Sequence, residues 1–263
     1  MKILVCMKQV PAGTTAEIDP ETGAMKRTSE DVRTNPYDLF ALEAALAIRE
    51  QTGGSVTVLT MGPPQAESMM KDAYAMGADE GVILSDRKFA GSDVLATAFT
   101  LSQGIELLGG ADLIICGRQT TDGDTAQVGP AIAEQLNIPH AAWTAEITEV
   151  TETSISVRQD LGSVTQVSRM AFPCLITVDK DTNVPRLPSY RLKTGTQERP
   201  VRFLSHKDMP EQDLSRYGLL GSPTSVERMF SPEQAEKQVY PEGEDGREKA
   251  EALFDILTAK KII

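Results

Sequence analysis

The sequence predicts an α/β fold in which a mostly parallel β-sheet is covered by helices on both faces. Over the first half of the chain, apolar runs of strand length alternate with helix-spaced apolar patterns, as in repeated βα units. The pattern then changes to apolar and polar alternation, which is typical of an antiparallel meander. Beyond Asp179 the chain becomes polar and rich in proline, and residues 205–263 predict an extended C-terminal arm.

The first half of the chain contains the predicted βα units. Each predicted helix is followed by a residue that favours a helix stop, namely Gly53, Gly77, Gly109 or Asn137. The predicted strands are residues 3–7, 55–61, 81–84 and 112–116, and the predicted helices are residues 36–51, 64–76, 92–108 and 126–136. Because parallel strands need crossover connections, these elements predict one parallel sheet.

The second half contains shorter and less regular elements. The predicted meander comprises residues 145–151, 154–159 and 163–169, followed by a strand over 173–178 and an extended loop over 183–200. An amphipathic helix is expected over 244–263, with Ala250, Leu253, Phe254 and Leu257 on one stripe. Since a tail with so little core rarely folds alone, we expect it to lie across another subunit.

The composition limits the classes of partner. The chain of 263 residues suits one large domain or one domain with an appendage, and its net charge of −12 opposes binding to nucleic acid or to an anionic membrane. No apolar run approaches the roughly 18 residues of a membrane span, so we expect no membrane insertion and a cytoplasmic location. Cys6, Cys116 and Cys174 lie singly in apolar segments and are expected to be reduced core thiols, not metal ligands.

Residues 117–129 carry the most specific signal in the chain. This segment is rich in Gly, Asp and Thr, and it lies between a predicted strand and a predicted helix. Such a loop presents backbone N–H groups and a helix N-terminus, and phosphate is their usual ligand. Gly117, Gly123 and Gly129 would allow backbone approach to a ligand, while the acidic side chains can accept from a ribose hydroxyl or brace the loop. The pattern predicts a site for a phosphate-bearing cofactor.

The motif Asn35-Pro36-Tyr37-Asp38 has two interpretations. Asn35 favours the N-cap position, Pro36 suits the first helical position and Asp38 can satisfy N-terminal N–H groups, so the motif can be a plain helix start. Alternatively, this N-terminus borders a ligand at the carboxyl end of the sheet, where open α/β proteins bind.

No pattern of acid–base or nucleophilic catalysis is present in the sequence. It lacks a nucleophile elbow, a Walker A motif and a G-x-G-x-x-G fingerprint, and His140 and His206 have no partner pattern. The sequence therefore favours binding, or chemistry that a cofactor carries without catalytic side chains.

Taken together, these segments resemble the β subunit of electron transfer flavoproteins. The similar segments follow one another in order between residue 1 and about residue 205; they are residues 2–10, 35–38, 61–63, 75–79, 117–129 and 183–188. The resemblance implies a doubly wound, Rossmann-like domain over residues 1–204 that binds an adenine nucleotide. It also implies that residues 205–263 form an arm and a helix that pack on an α subunit carrying FAD.

The loop distinguishes two branches of this family. The common branch holds AMP and has a loop of the pattern Asp-Asp-x-Asn-x-Thr-Gly-Gln, whereas residues 121–130 resemble the electron-bifurcating branch, in which a second FAD occupies the site. The resemblance then implies NADH as the electron donor, with NADH oxidation only in the heterodimer. One electron would pass to ferredoxin or flavodoxin, and the other through the α-subunit FAD to an acyl-CoA dehydrogenase.

The resemblance also implies which residues contact the cofactor and the partners. The cofactor residues are Cys6, Met7, Lys8, Asn35, Asp38, Met61, Gly117, Asp122, Gly123, Asp124, Thr125, Ala126, Gln127 and Val128. The segment Pro185, Arg186, Leu187 and Pro188 is expected to dock onto dehydrogenases with Leu187 as the anchor. A proline-rich linker is the alternative interpretation of this segment.

Three other functions fit parts of the sequence. One alternative is an adenine-nucleotide-binding regulatory or hydrolase domain of a related fold, although the Ser-Gly-Gly-x-Asp-Ser loop of such domains is absent. An ordinary electron carrier with structural AMP differs only in the loop residues. A purely structural partner of a redox subunit agrees with the C-terminal arm but leaves residues 117–129 unexplained.

Overall fold

The computed structural model describes residues 1–12, 32–227 and 240–263. The chain divides into two compact units, Met1–Glu227 and Arg228–Ile263. The described strands are β1 Lys2–Cys6, β2 Gln9–Pro11, β3 Val32–Thr34, β4 Ser55–Met61, β5 Glu80–Leu84, β6 Leu113–Gly117, β7 His140–Val150, β8 Ser154–Asp160, β9 Thr165–Ala171, β10 Cys174–Val178 and β11 Arg202–Leu204. The described α-helices are α1 Pro36–Thr52, α2 Glu67–Met76, α3 Val94–Leu107, α4 Val128–Gln135, α5 Tyr190–Gly195 and, in the second unit, α6 Gly246–Ala259.

A mixed sheet forms the centre of the first unit. In the described residues its strand order is β11-β5-β4-β1-β6-β10-β7-β8-β9, and β2 and β3 form a separate antiparallel pair. The strands from β11 to β7 pair in parallel, whereas β7, β8 and β9 pair antiparallel. The predicted mostly parallel α/β sheet with a meander is confirmed.

Helices cover both faces of the parallel region. Ile3 and Val5 point into the core under α1 and α2, while Leu4 and Cys6 point into the core under α3 and α4. Because β1 is buried on both sides, its sequence is a continuous apolar run instead of an alternating one. The sheet is therefore doubly wound.

Strand β10 determines where β7 begins, and the local sequence pattern does not contain this information. It lies between β6 and β7, and its pairing extends β7 back to His140, so this strand begins five positions before the predicted residue 145. Pairing with β10 draws His140 and Ala141 into the sheet. The boundary of β7 is set by a partner that lies more than thirty residues away in sequence.

The start of α4 and the loop over 183–200 differ from the predictions. Helix α4 begins at Val128 and not at residue 126, because Ala126 has a φ of 54°, which is incompatible with a right-handed helix. Pro130 lies in the first turn of α4, where no intrahelical N–H bond is lost. Within the predicted loop 183–200, residues Tyr190–Gly195 form α5, and the Ser189 hydroxyl accepts a bond from Leu192 N at its start.

The cysteines are buried and free in the described structure. Cys6 and Cys116 are register partners on β1 and β6, whereas Cys174 lies on β10. The prediction of core thiols is confirmed. Pairing of two strands that are distant in sequence places Cys6 and Cys116 side by side.

The beginning of the predicted arm contributes to the core of the first unit. Strand β11 extends the sheet directly before the arm. Within the arm, Tyr217 is 1% exposed, with its ring edge-on to His206 at a centroid distance of 4.9 Å. The Tyr217 hydroxyl donates to the Glu211 carbonyl oxygen at 2.8 Å. A few large side chains without periodic spacing are sufficient to attach this segment, which is why the apolar pattern did not reveal it.

The second unit contains α6, an amphipathic helix as predicted. Asp245 caps it by accepting from the backbone N–H groups of Arg247 and Glu248. On the predicted stripe, Leu253 is 45% and Phe254 61% exposed. No helix in the described ranges is long and apolar enough to cross a bilayer.

The Tyr217 contact predicts a large stability effect. Tyr217→Ala removes a side chain that is 1% exposed, and we expect the free energy of unfolding to fall by about 3–5 kcal/mol. Urea denaturation measures this change. The matched control is Leu220→Ala, because Leu220 is 76% exposed, and we expect its effect to stay within about 0.5 kcal/mol. Equal effects of the two substitutions would contradict the packing of this segment.

Candidate functional site

The carboxyl ends of β1, β4 and β6 bring the predicted residues to one edge of the sheet. Cys6 ends β1 and leads into Met7 and Lys8, Met61 ends β4, and Gly117 ends β6. The sheet order reverses between β1 and β6, because β4 lies on the far side of β1 and β10 on the far side of β6. In open α/β proteins the ligand crevice lies at such a reversal.

The side chain of Asn35 holds the loop that follows β6. Its Nδ2 donates to the Gln119 carbonyl oxygen at 2.8 Å, and its Oδ1 accepts from Thr121 N at 3.3 Å. Asn35 stands at the N-cap position of α1 but makes no side-chain capping bond. The plain helix-cap interpretation is therefore wrong for this residue, since its polar atoms bind the loop.

An ion pair connects β1 to the same loop. Lys8 Nζ lies 2.6 Å from Asp122 Oδ2 and 2.8 Å from Asp122 Oδ1. Burial opposes ionisation of this carboxyl, but the hydrogen bonds and the charge of Lys8 outweigh it and lower the pKa of Asp122. Asp122 also accepts from Gly123 N at 2.8 Å. In this arrangement the acidic side chain braces the loop, which is one of the two roles predicted for it.

The backbone of the loop has an unusual conformation before α4. Asp124 and Ala126 have φ values of 52° and 54°, and non-glycine residues in this left-handed region are uncommon and strained. Residues 121–125 and Gln127 are exposed and lead directly into α4. The first N–H groups of a helix have no intrahelical partner, so this segment presents polar backbone groups at the sheet edge.

Two glycines of the loop are required by packing inside the protein. A Cβ atom on Gly117 would overlap the Asp38 carboxyl and the backbone of Tyr37, and one on Gly129 would overlap the Thr177 methyl group. The expected reason, close backbone approach to a ligand, is therefore not needed at these two positions. Gly123 differs, because the nearest atom to its Cβ position is Thr120 Oγ1 at 3.6 Å.

Asp38 lies beneath the loop and is 4% exposed. Its Oδ2 accepts from Lys8 N at 2.7 Å. Burial raises the pKa of this carboxyl to about 7, although hydrogen bonds from Asn35, Lys8 and Gly117 and the charge of Lys8 act in the opposite direction. Asp38 therefore joins the three segments that carry the site and does not point out from them.

Sequence reasoning missed a second group at this edge. Arg118 Nη1 pairs with Asp179 Oδ2 at 2.6 Å, and the Arg118 guanidinium lies 4.2 Å from the ring centre of Trp143. Trp143 has a φ of 59° at a bulge in β7, where its N–H donates to Thr177 Oγ1. The signal that could have identified Arg118 was its position directly after β6, inside the segment 117–129.

The predicted docking segment is braced against α1. Arg186 makes bonds of 2.8 Å and 2.9 Å from Nε and Nη2 to Glu43, and its Nη1 lies 2.6 Å from Glu50. Asn183 Nδ2 donates to the Phe40 carbonyl oxygen at 2.9 Å. Leu187 is 87% exposed. Arg186 therefore fixes the segment, and Leu187 is the side chain that it presents to solvent.

The environment of Asp38 predicts a pH dependence of stability. The unfolded carboxyl ionises near its ordinary pKa of 3.8, whereas the folded one ionises near 7. Between these values the unfolded state releases a proton that the folded state retains. The free energy of unfolding should therefore fall as pH rises from about 4 to about 7 and then level off, by at most roughly 4 kcal/mol.

Asp38→Asn isolates this contribution, because an amide does not ionise. Denaturant unfolding at several pH values should show that the stability difference between the substituted and the unaltered protein changes across this window. A constant difference would mean that Asp38 ionises with an ordinary pKa.

Comparison with known proteins identifies the family. Residues 22–208 match the electron transfer flavoprotein domain. Protein FixA of Azorhizobium caulinodans is 45% identical over 245 residues, which cover 90% of this chain and 87% of that protein. The acryloyl-CoA reductase electron transfer subunit gamma of Anaerotignum propionicum and the electron transfer flavoprotein subunit beta of Megasphaera elsdenii are 42% and 40% identical, each over 100% of both chains. The chain therefore belongs to the electron transfer flavoprotein family.

Proposed function

We propose that this chain is the β subunit of a cytoplasmic, heterodimeric electron transfer flavoprotein of the electron-bifurcating type. In this proposal it binds FAD at the edge formed by β1 and β6, and the heterodimer oxidises NADH. Electrons then leave towards ferredoxin or flavodoxin and, through an FAD of the α subunit, towards an acyl-CoA dehydrogenase. The observation that carries the proposal is the convergence of the 117–127 loop, the start of α4 and Lys8 at the reversal of the sheet.

The residues at this edge fit a phosphate-bearing group. The start of α4 supplies unpaired N–H groups and the positive end of the helix dipole. Lys8 supplies a cation that is 45% exposed while it pairs with Asp122. The exposed loop residues up to Gln127 supply polar backbone and side chains next to these groups. A pyrophosphate or a nucleotide phosphate is complementary to this combination.

Each part of the edge has a proposed role towards the bound nucleotide. Asp122, Thr125 and Gln127 contact ribose and pyrophosphate, and the backbone from Gly123 to Val128 wraps the phosphates. Met7 and Met61 border the adenosine side. Bound FAD would supply hydride acceptance and one-electron transfer. The protein positions the group and sets its electrostatic environment.

FAD is favoured over AMP by the residues of the loop. Residues 121–130 resemble the bifurcating branch and not the AMP-binding pattern. Two of the similar proteins support a role beside CoA-dependent reductases by their names, which are acryloyl-CoA reductase electron transfer subunit gamma and caffeyl-CoA reductase-Etf complex subunit CarD. The alternative is an ordinary carrier whose β subunit holds AMP.

The proposed partners bind two other parts of the chain. The α subunit is placed against the amphipathic helix α6, whose Phe254 is 61% exposed. The dehydrogenase is placed against Leu187. Because Arg186 binds Glu43 and Glu50, contacts within the chain hold this segment in place, and such preorganisation lowers the entropy cost of docking.

The cofactor assignment predicts a measurable composition. The heterodimer, isolated with its bound groups and then denatured, should release two FAD and no AMP per pair of subunits. One FAD and one AMP would contradict bifurcation and would support the ordinary carrier.

The loop assignment predicts that Thr125→Tyr, or deletion of residues 123–125, abolishes retention of the nucleotide in this subunit. A bulky ring or a shortened loop at this exposed turn obstructs the phosphate site. The readout is nucleotide content after gel filtration of the folded protein. Thr165→Tyr on β9 is the matched control and should retain the full content. Normal retention by a folded Thr125→Tyr protein would remove the loop from the site.

The docking assignment predicts that Leu187→Ala raises KM for the acyl-CoA dehydrogenase by roughly ten-fold, as expected for loss of an apolar anchor. Cofactor content should not change. Arg186→Ala should produce a similar rise, because the segment loses its bonds to α1. The control is Val167→Ala on β9, where an equally apolar side chain is 68% exposed. An unchanged KM for Leu187→Ala would mean that the dehydrogenase docks elsewhere.

A further inference from the structure

A single buried carboxyl joins the three segments that form the proposed nucleotide site. Asp38 lies in the first turn of α1 and accepts from the backbone N–H groups of Lys8, after β1, and Gly117, at the end of β6. Its carboxyl also bonds the side chain of Asn35. Because Asp38 is 4% exposed, water has little access to compete for these bonds.

The neighbours of Asp38 extend from this carboxyl to the exposed loop. Lys8 bonds Asp38 through its backbone N–H and Asp122 through its ammonium group. Asn35 bonds Asp38 and also the backbone at Gln119 and Thr121. A ligand that moves the loop or draws the Lys8 ammonium therefore changes the electrostatic surroundings of Asp38, although it does not touch this residue.

The titratable groups around Asp38 come from every segment packed on it. The end of β1 contributes the Lys8 ammonium and the Cys6 thiol, β6 contributes the Cys116 thiol, and the loop contributes the Asp122 carboxylate. The hydrogen bond with Cys6, burial and the nearby acidic groups raise the pKa of Cys116, so this thiol stays neutral near pH 7. Lys8 is the cation of this group, and Asp122 already shares it.

We infer that Asp38 takes up one proton from solvent when a phosphate-bearing nucleotide binds at this edge. The inference rests on the proposed function, because it requires that a nucleotide binds there. An incoming phosphate adds negative charge and attracts the Lys8 ammonium. Both changes disfavour the negative charge of the buried Asp38 carboxylate. Protonation removes the repulsion and leaves a neutral carboxyl that still joins the three segments. Asp38 is a positioning residue in this scheme and not a catalytic one.

The test is titration calorimetry of the full chain, stripped of nucleotide, with FAD as the probe. The phosphates of FAD are diesters, so they carry no proton that titrates near neutral pH. Measurements in buffers of different ionisation enthalpy give the number of protons bound. At about pH 8, above the pKa of about 7 for Asp38, uptake should approach one proton, and at about pH 5.5 it should approach zero. Above pH 7, Kd should rise by up to ten-fold per pH unit.

Substitutions separate Asp38 from other carboxyls. Asp38→Asn should still bind FAD, with no proton uptake and with a Kd that no longer changes with pH. Asp72→Asn is the matched control, because burial also raises the pKa of Asp72, but this residue lies on α2 away from the loop. It should retain the full uptake. AMP is the second probe, used at about pH 8, where its phosphate is already dianionic.

A measurement on the unaltered protein keeps the inference testable if Asp38→Asn does not fold. The infrared difference spectrum between free and FAD-bound protein at about pH 8 should gain the carbonyl band of one protonated carboxyl. FAD binding without this band and without proton uptake overturns the inference but leaves the proposed function intact. Failure of the unaltered protein to bind either probe overturns the nucleotide site itself, and the proton linkage with it.

Discussion

The position of β1 at the centre of the sheet is the constraint on which the rest of the structure depends. Ile3, Leu4 and Val5 are fully buried, and the strand pairs with β4 on one side and β6 on the other. Helices α1 and α2 therefore cover one face, and α3 and α4 the other. The two directions of winding separate at the carboxyl end of β1, and this separation creates the edge where Lys8, Asn35 and the loop meet.

Local patterns were sufficient to predict most elements, because each strand buried on two faces is a continuous apolar run and each helix has its own stop signal. They were insufficient where a contact with residues distant in sequence determines the structure. Strand β10 inserts between β6 and β7 and draws His140 into the sheet. Tyr217 attaches the beginning of the arm through a contact with His206 that has no periodic signature. Helix α5 is a single short element whose only local signal is the cap at Ser189.

In the candidate site, too, the sequence predicted positions but not contacts between distant residues. The sequence predicted which residues reach the edge, since residues that directly follow parallel strands must gather there. It did not predict what they contact. Asn35 is of a residue type that favours the helix N-cap, but its side-chain amide bonds the loop. Arg186 was expected within a docking segment, and its guanidinium pairs with Glu43 of α1. In both cases the partner lies more than eighty residues away, and one sequence contains no signal for such a pairing.

The bonds around the loop explain how a strained backbone is held there. Left-handed conformations at Asp124 and Ala126 each cost on the order of 1–3 kcal/mol, and bonds from Asn35 and Lys8 offset part of this cost. A loop that is already ordered loses little entropy when it closes on a phosphate. The same bonds end at Asp38, whose burial keeps it near the balance between its two protonation states. Order in the loop and the charge of the buried carboxyl are therefore two consequences of one network, and a ligand that acts on the loop must act on both.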